Sequence, residues 1–196
     1  MPAAGPRRPI DLEALRAAVA AVDSRGSATA DLPPLSPDAH EAAKAALRLL
    51  RHRPRSEHEL RERLAAREYE SATIDEAVDR IRAWGLVDDA DFAAEWVRGR
   101  RRRRGRSRGA LQRELREKGV AEVHIAGAVA GIADDEERDH AAELVRSRLA
   151  RRPGTGGAAR DRLGERRRLV AFLARRGYPT GLAMSVVDAE LAAAGW

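Results

Sequence analysis

The chain has 196 residues, with 37 Lys+Arg against 31 Asp+Glu, a formal charge of +6 and no cysteine. The missing thiols exclude disulfides, cysteine nucleophiles and Cys-held zinc or iron–sulfur centres. No apolar run approaches the roughly 20 residues of a helical membrane span, since the stretch Ala126–Ala133, among the longest, stops at Asp134.

A 43% hydrophobic fraction with only 4% aromatics allows a lean core, and 35% charged residues point to a soluble, helix-rich protein. The N-terminus MPAAGPRRPIDLEAL lacks the apolar stretch of a signal peptide, so a cytoplasmic location is expected. Of the cations only Lys44 and Lys118 are lysines, and 35 are arginines.

Residues 1–35 are poor in large apolar side chains and read as a flexible arm. Leu12, Leu15, Val19 and Val22 would line one face of a short helix there, and Pro33-Pro34 would end it. Order begins at Ser36-Pro37-Asp38, a cap hydroxyl followed by proline and an acid in the first turn. Ala43, Leu47 and Leu50 share a face until Pro54. Ser56 and Glu59 form a capping box opening a second helix, with Leu60 and Leu64 inward. Thr73 and Glu76 repeat that pattern ahead of Ile74, Ala77, Val78 and Ile81, and Gly85 reads as the C-terminal stop. Asp88 or Asp89 then caps a helix that buries Phe92, Ala93, Trp96 and Val97. No segment alternates with the period of a strand, so the fold class is all-α.

The same spacing recurs along the chain. Leu60, Leu64, Ile74, Val78 and Ile81 reappear 51 residues on as Leu111, Leu115, Ile125, Val129 and Ile132. A weaker third copy runs Leu169, Leu173, Ala183, Val187, with Leu191 one place beyond the expected Glu190. Gly119 and Gly177 each follow the second leucine by four residues and fit a helix C-cap. Glu68 holds that place in the first copy, so a different turn is expected there. A further helical stretch precedes each pair (38–52, 90–102 and 135–150), so the unit is three helices. The expected domains are the arm 1–35 and repeats at 36–89, 90–133 and 134–196, stacked into an elongated, curved body. Arg152–Gly157 reads as a flexible joint.

Charge is segregated along this array. From Glu68 to Val97 nine acids face two arginines, whereas Arg98–Arg108 holds eight arginines and no acid. A second basic region, Val145–Gly177, has eleven arginines against Asp161 and Glu165. Such blocks point to a polyanion or an acidic partner. The alternative reading makes the arginines solvated helix faces. The acidic block could equally pair with the basic surface of its own molecule.

Catalytic and metal patterns are lacking in the sequence. His58-Glu59 begins like a zinc-protease helix, but position 62 is Glu; His40-Glu41 fails likewise, with Lys44 at the second place. Gly154-Thr155-Gly156-Gly157 lacks the Gly-Lys-Ser/Thr of a phosphate loop. Asp88-Asp89 looks like a carboxylate pair for metal or acid–base work, but its position directly after Gly85 favours the reading of a helix cap. No nucleophile–base–orienter set is visible, so neither an enzyme nor a bound metal or cofactor is expected.

From Ala45 to Ile132 the chain resembles the RecX family, bacterial regulators of the RecA recombinase. The resemblance rests on Arg53-Pro54-Arg55-Ser56-Glu57-His58-Glu59-Leu60, then Gly85-Leu86-Val87-Asp88-Asp89-x-x-Phe92-Ala93, then Glu114-Leu115-x-x-Lys118-Gly119-Val120, in that order. It departs at Glu68, where the family usually has glycine, and at Arg100–Arg104, which exceed the usual basic density. The resemblance implies tandem three-helix repeats. It also implies a monomer that binds RecA and RecA–single-stranded-DNA filaments. There it would restrain ATP hydrolysis, strand exchange and co-protease activity in recombination and SOS DNA repair.

The candidate partner or DNA contacts are Arg53, Arg55, Arg98, Arg100, Arg101, Arg102, Arg103, Arg104, Arg106, Arg108 and Lys118. Ser56, Glu59, Leu60, Gly85, Asp88, Asp89, Phe92 and Gly119 read as scaffold. Tyr69, Trp84, Phe92 and Trp96 have the chemistry to stack on bases, but their helical spacing reads as core. A general helical DNA- or RNA-binding protein acting through 98–108 is the competing functional reading.

Overall fold

A computed structural model describes Glu13, residues 16–18, 33–151 and 161–196. The helical face expected from Leu12, Leu15, Val19 and Val22 and the joint at 152–157 therefore lie outside the described residues, as does most of the arm 1–35. Nine helices with defined bounds, and no strand, occur among the described residues. They are α1 (Pro37–His52), α2 (Glu57–Ala65), α3 (Ser71–Ala83), α4 (Asp89–Arg104), α5 (Arg108–Glu117), α6 (Glu122–Val129), α7 (Asp134–Ala150), α8 (Arg162–Ala174) and α9 (Thr180–Ala193). They fall into three successive triplets, the tandem three-helix repeats that the spacing predicts.

Every repeat position is in a core. Leu60, Leu64, Val78 and Ile81, then Leu111, Leu115 and Ile125, then Leu173, Ala183, Val187 and Leu191 are all fully shielded from solvent. Each helix is short, and its stability comes from burying this stripe rather than from propensity.

The chain forms two compact units. One contains the described residues up to Phe92 together with Lys118–Val120; the other contains Ala93–Glu117 and Ala121–Trp196. In the first, α1 and α2 pack on α3 around Leu47, Leu50, Leu60, Leu64, Val78 and Ile81. Ala18 is buried in this core as well. In the second unit, α9 packs on α7 and α8 around Val145, Leu169, Phe172, Leu173 and Leu191, while α5 packs on α6.

The predicted helix starts divide into those that form and one that does not. Ser36 accepts from the Ala39 N–H with Pro37 in the first turn. Ser56 accepts from the Glu59 N–H at 3.1 Å, but the Glu59 carboxylate turns to Arg53 and Lys118, so only half of the capping box is made. The Thr73–Glu76 box does not form. The helix already begins at Ser71, and Glu76 accepts hydrogen bonds from the Ser36 N–H and hydroxyl, at 2.6 and 2.7 Å. A tertiary acceptor role has outcompeted the local one.

The turn at Glu68 also departs from expectation. It does not differ from its repeats: Glu68 holds φ +66°, beside +68° at Gly119 and +88° at Gly177. The Leu60–Leu64 register dictates the left-handed turn, and Glu68 adopts it despite the steric cost of its Cβ.

Candidate functional site

Some of the candidate side chains sit at the starts of α2 and α5, where the chain reads Arg53-Pro54-Arg55-Ser56 and, 51 residues later, Arg104-Gly105-Arg106-Ser107. Both serines are wholly buried N-terminal caps, accepting from the Glu59 and Ala110 N–H groups. Each cap is joined to the turn that follows the second leucine of the next repeat. Ser56 donates its hydroxyl to the Lys118 carbonyl at 2.6 Å, and the Ser107 N–H donates to the Arg176 carbonyl at 3.1 Å.

The first N–H of each helix is also taken by a carboxylate, from the first turn of α4 and of α7 respectively. Glu57 N–H donates to Asp89 at 2.9 Å, and Arg108 N–H donates to Glu137 at 2.8 Å. A helix N-terminus favours such negative charge. The two glycines complete the pattern. A Cβ on Gly119 would overlap the His58 ring, and one on Gly177 would stand 2.6 Å from Ala110 and 2.9 Å from the Ser107 hydroxyl. Both need a left-handed backbone and a bare Cα at once.

The scaffold residues fit this junction. Asp88 caps α4 through the Ala90 and Asp91 N–H groups, leaving Asp89 to reach α2. Gly85 closes α3, with the Leu86 N–H reaching back to the Ile81 carbonyl. Phe92 and Leu60 are buried.

Arg53 and Lys118 are drawn into the same junction. Arg53 grips Glu59 through two N–H groups at 3.1 and 3.2 Å, and Lys118 reaches the same carboxylate at 2.7 Å. Burial alone would raise the Glu59 pKa, but these two cations hold it down to about 2. Arg55 reaches the Leu49 carbonyl, and burial together with Arg53 lowers its pKa.

The run 98–108 separates into two sets. Arg98 pairs with Glu95, Arg100 and Arg106 with Glu114 at 3.0 and 2.9 Å, Arg101 with Glu137 at 2.9 Å, and Arg108 with Asp134 at 2.7 Å. Arg102, Arg103 and Arg104 are exposed, and no carboxylate pairs with them among the described residues. The acidic partners Glu114 and Glu137 escape a reading of the arginine run alone. Glu137 is detectable only as an acid in the first turn of the third repeat.

The aromatics are engaged in packing. Phe92 is 8% exposed, Tyr69 and Trp84 lie against the first core, and the Trp96 indole N–H donates to Glu114 at 2.9 Å while Arg100 covers its ring at 4.2 Å. Much of the acidic block is consumed locally: Asp75 pairs with Arg61, Asp79 with Arg82 and Glu95 with Arg98. No described helix is long and apolar enough to cross a membrane.

A repeated helical unit docked through a serine cap and a glycine turn defines a tandem three-helix repeat protein. Residues 42–80 match the model of the RecX first three-helix domain, and residues 88–129 that of the second. The chain is 48% identical over 169 residues to the regulatory protein RecX of Mycobacterium ulcerans, covering 84% of this chain and 95% of the relative. The regulatory protein RecX of Mycobacterium tuberculosis is 46% identical over 166 residues, covering 82% and 92%. Among solved structures, RecX from Lactobacillus salivarius superposes with a TM-score of 0.63 at 16% identity, over 80% of this chain and 98% of that one. The chain belongs to the RecX family.

Proposed function

We propose that this chain is a regulator of the RecA recombinase, acting in the cytoplasm on RecA filaments assembled on single-stranded DNA and slowing their ATP hydrolysis, strand exchange and co-protease activity. The observation that carries the reading is the 48% identity to a RecX regulatory protein over 84% of the chain. The site supports it chemically. The serine–glycine junctions fasten the starts of α2 and α5 to the turns after α5 and α8, and Arg102–Arg104 carry charge that no carboxylate meets among the described residues.

Three repeats, taken as 36–89, 90–133 and 134–196 after an N-terminal arm, offer serial contacts to successive protomers of a filament. Modest contacts then add through effective concentration. Arg102, Arg103 and Arg104 are the contacts we assign to the filament. Arg53, Arg100, Arg101, Arg106, Arg108 and Lys118 instead hold helices together within their own unit, since their charges are already met. The test is to titrate the protein, below RecA concentration, into RecA hydrolysing ATP on single-stranded DNA. Slowed hydrolysis is expected, and an unchanged rate across a hundredfold titration overturns the reading.

A further inference from the structure

Two basic stretches that are far apart in the sequence, 98–108 and 145–177, meet within the second unit. The Arg106 guanidinium donates to the Arg175 carbonyl at 2.8 Å, and the Ser107 N–H donates to the Arg176 carbonyl. Gly105, the residue after the unpaired Arg104, abuts Leu144 closely enough that a Cβ would stand 2.8 Å from its methyls. Leu144 and Arg148 lie one turn apart on the same face of α7. The end of α4, the face of α7 carrying Arg148 and the turn after α8 therefore form one surface.

Its side chains are arranged unusually for an ion-pair network. Arg176 lies over the Phe172 ring at 3.7 Å, and Arg148 lies over the same ring at 4.8 Å. Among the described residues no carboxylate pairs with Arg148, Arg175 or Arg176, and the buried Arg176 Nε has no hydrogen-bond partner. Glu114, which pairs with Arg106, is already shared with Arg100 and the Trp96 indole. Burial and the charges of Arg148, Arg175 and Arg106 lower the Arg176 pKa, as expected for cations crowded without a counter-ion.

The geometry points to a single-stranded nucleic-acid site formed by Arg104, Arg148, Arg175 and Arg176, in which the guanidinium groups hold successive phosphates, while Arg106, paired with Glu114, fixes the turn that carries Arg175. The arginines laid on Phe172 offer planar cationic faces, and unstacked bases stack on such planes. An acidic peptide would meet the charges but not those faces. The site goes beyond the regulatory reading because it needs no RecA.

The test is fluorescence anisotropy of a labelled twenty-nucleotide oligo-dT with the full-length chain, without RecA, across a salt series. Each phosphate contact contributes about 0.7 to the log–log salt slope on single strands. Arg148→Ala with Arg175→Ala should therefore weaken binding and flatten the slope by about 1.4. Arg148→Lys with Arg175→Lys should keep the slope. An unchanged affinity and slope in the alanine variant overturns the site, and so does displacement of the oligonucleotide by poly-glutamate at equal charge concentration. If RecA hydrolysis is unaffected by the wild-type chain while the alanine variant still loses oligonucleotide binding, this site stands and the RecA reading falls.

Discussion

Ser56 donates its hydroxyl proton to the Lys118 carbonyl oxygen at 2.6 Å, across 62 residues of sequence, while its oxygen accepts from the Glu59 N–H. One buried hydroxyl thus starts a helix and fastens the turn of the next repeat to it.

Ser56→Ala removes both bonds and leaves a buried carbonyl without its donor. The expected loss is about 2 kcal/mol of stability, read as a lower urea midpoint. Ser56→Thr, which keeps the donor and the acceptor, should recover part of it.

Gly85, Gly119 and Glu68 separate backbone strain from steric overlap. All three are left-handed, but open space surrounds Gly85, whereas His58 fills the place of a Cβ at Gly119. Gly85→Ala should cost about 1 kcal/mol, and Gly119→Ala clearly more because the ring must also move. Glu68→Gly should stabilise by about 1 kcal/mol. Thermal melting of the three variants checks the order.

Acid should release the first junction. Glu59 titrates at about 2 in the folded chain, below the ordinary range near 4.3, so its ion contacts contribute stability above the ordinary pKa. That stability is lost as pH falls from about 4.3 through 2. Denaturant titrations at pH 5 and pH 2.5 should show a steep drop for the wild type. Glu59→Gln should begin lower at pH 5 and fall less.

The arginines of the central run should separate by stability. Arg101→Ala strips the charge partner from Glu137, which is 5% exposed, and should cost on the order of 2 kcal/mol. Arg103→Ala, at an exposed and unpaired site, should stay within about 0.5 kcal/mol. Equal melting temperatures for the two variants would contradict the division.

The fold was legible because burial follows a fixed spacing, and the leucine and β-branched positions that recur 51 residues apart are the ones the cores shield. The helix starts at Ser36 and Ser56 were legible because a cap is a local hydrogen bond. Glu76 and Glu59 were misread for the opposite reason: their carboxylates serve partners 40 and 59 residues away, which local chemistry does not reveal. The serine at 107 stands 51 residues after Ser56 and was available to the same repeat arithmetic. A charge run shows how many cations there are, not which are neutralised. Pairing that consumes Arg98, Arg100, Arg101, Arg106 and Arg108 and spares Arg102–Arg104 depends on acids brought up by other helices or turns of helix.

The most direct measurement is RecA ATP hydrolysis on single-stranded DNA, with the wild-type chain and the Arg102→Ala, Arg103→Ala, Arg104→Ala triple variant compared at equal melting temperature. The account predicts that the wild type slows hydrolysis below RecA concentration and that the triple variant needs at least about tenfold more protein, a loss of about 1.4 kcal/mol. A wild type without effect, or a triple variant as potent as the wild type, would contradict it.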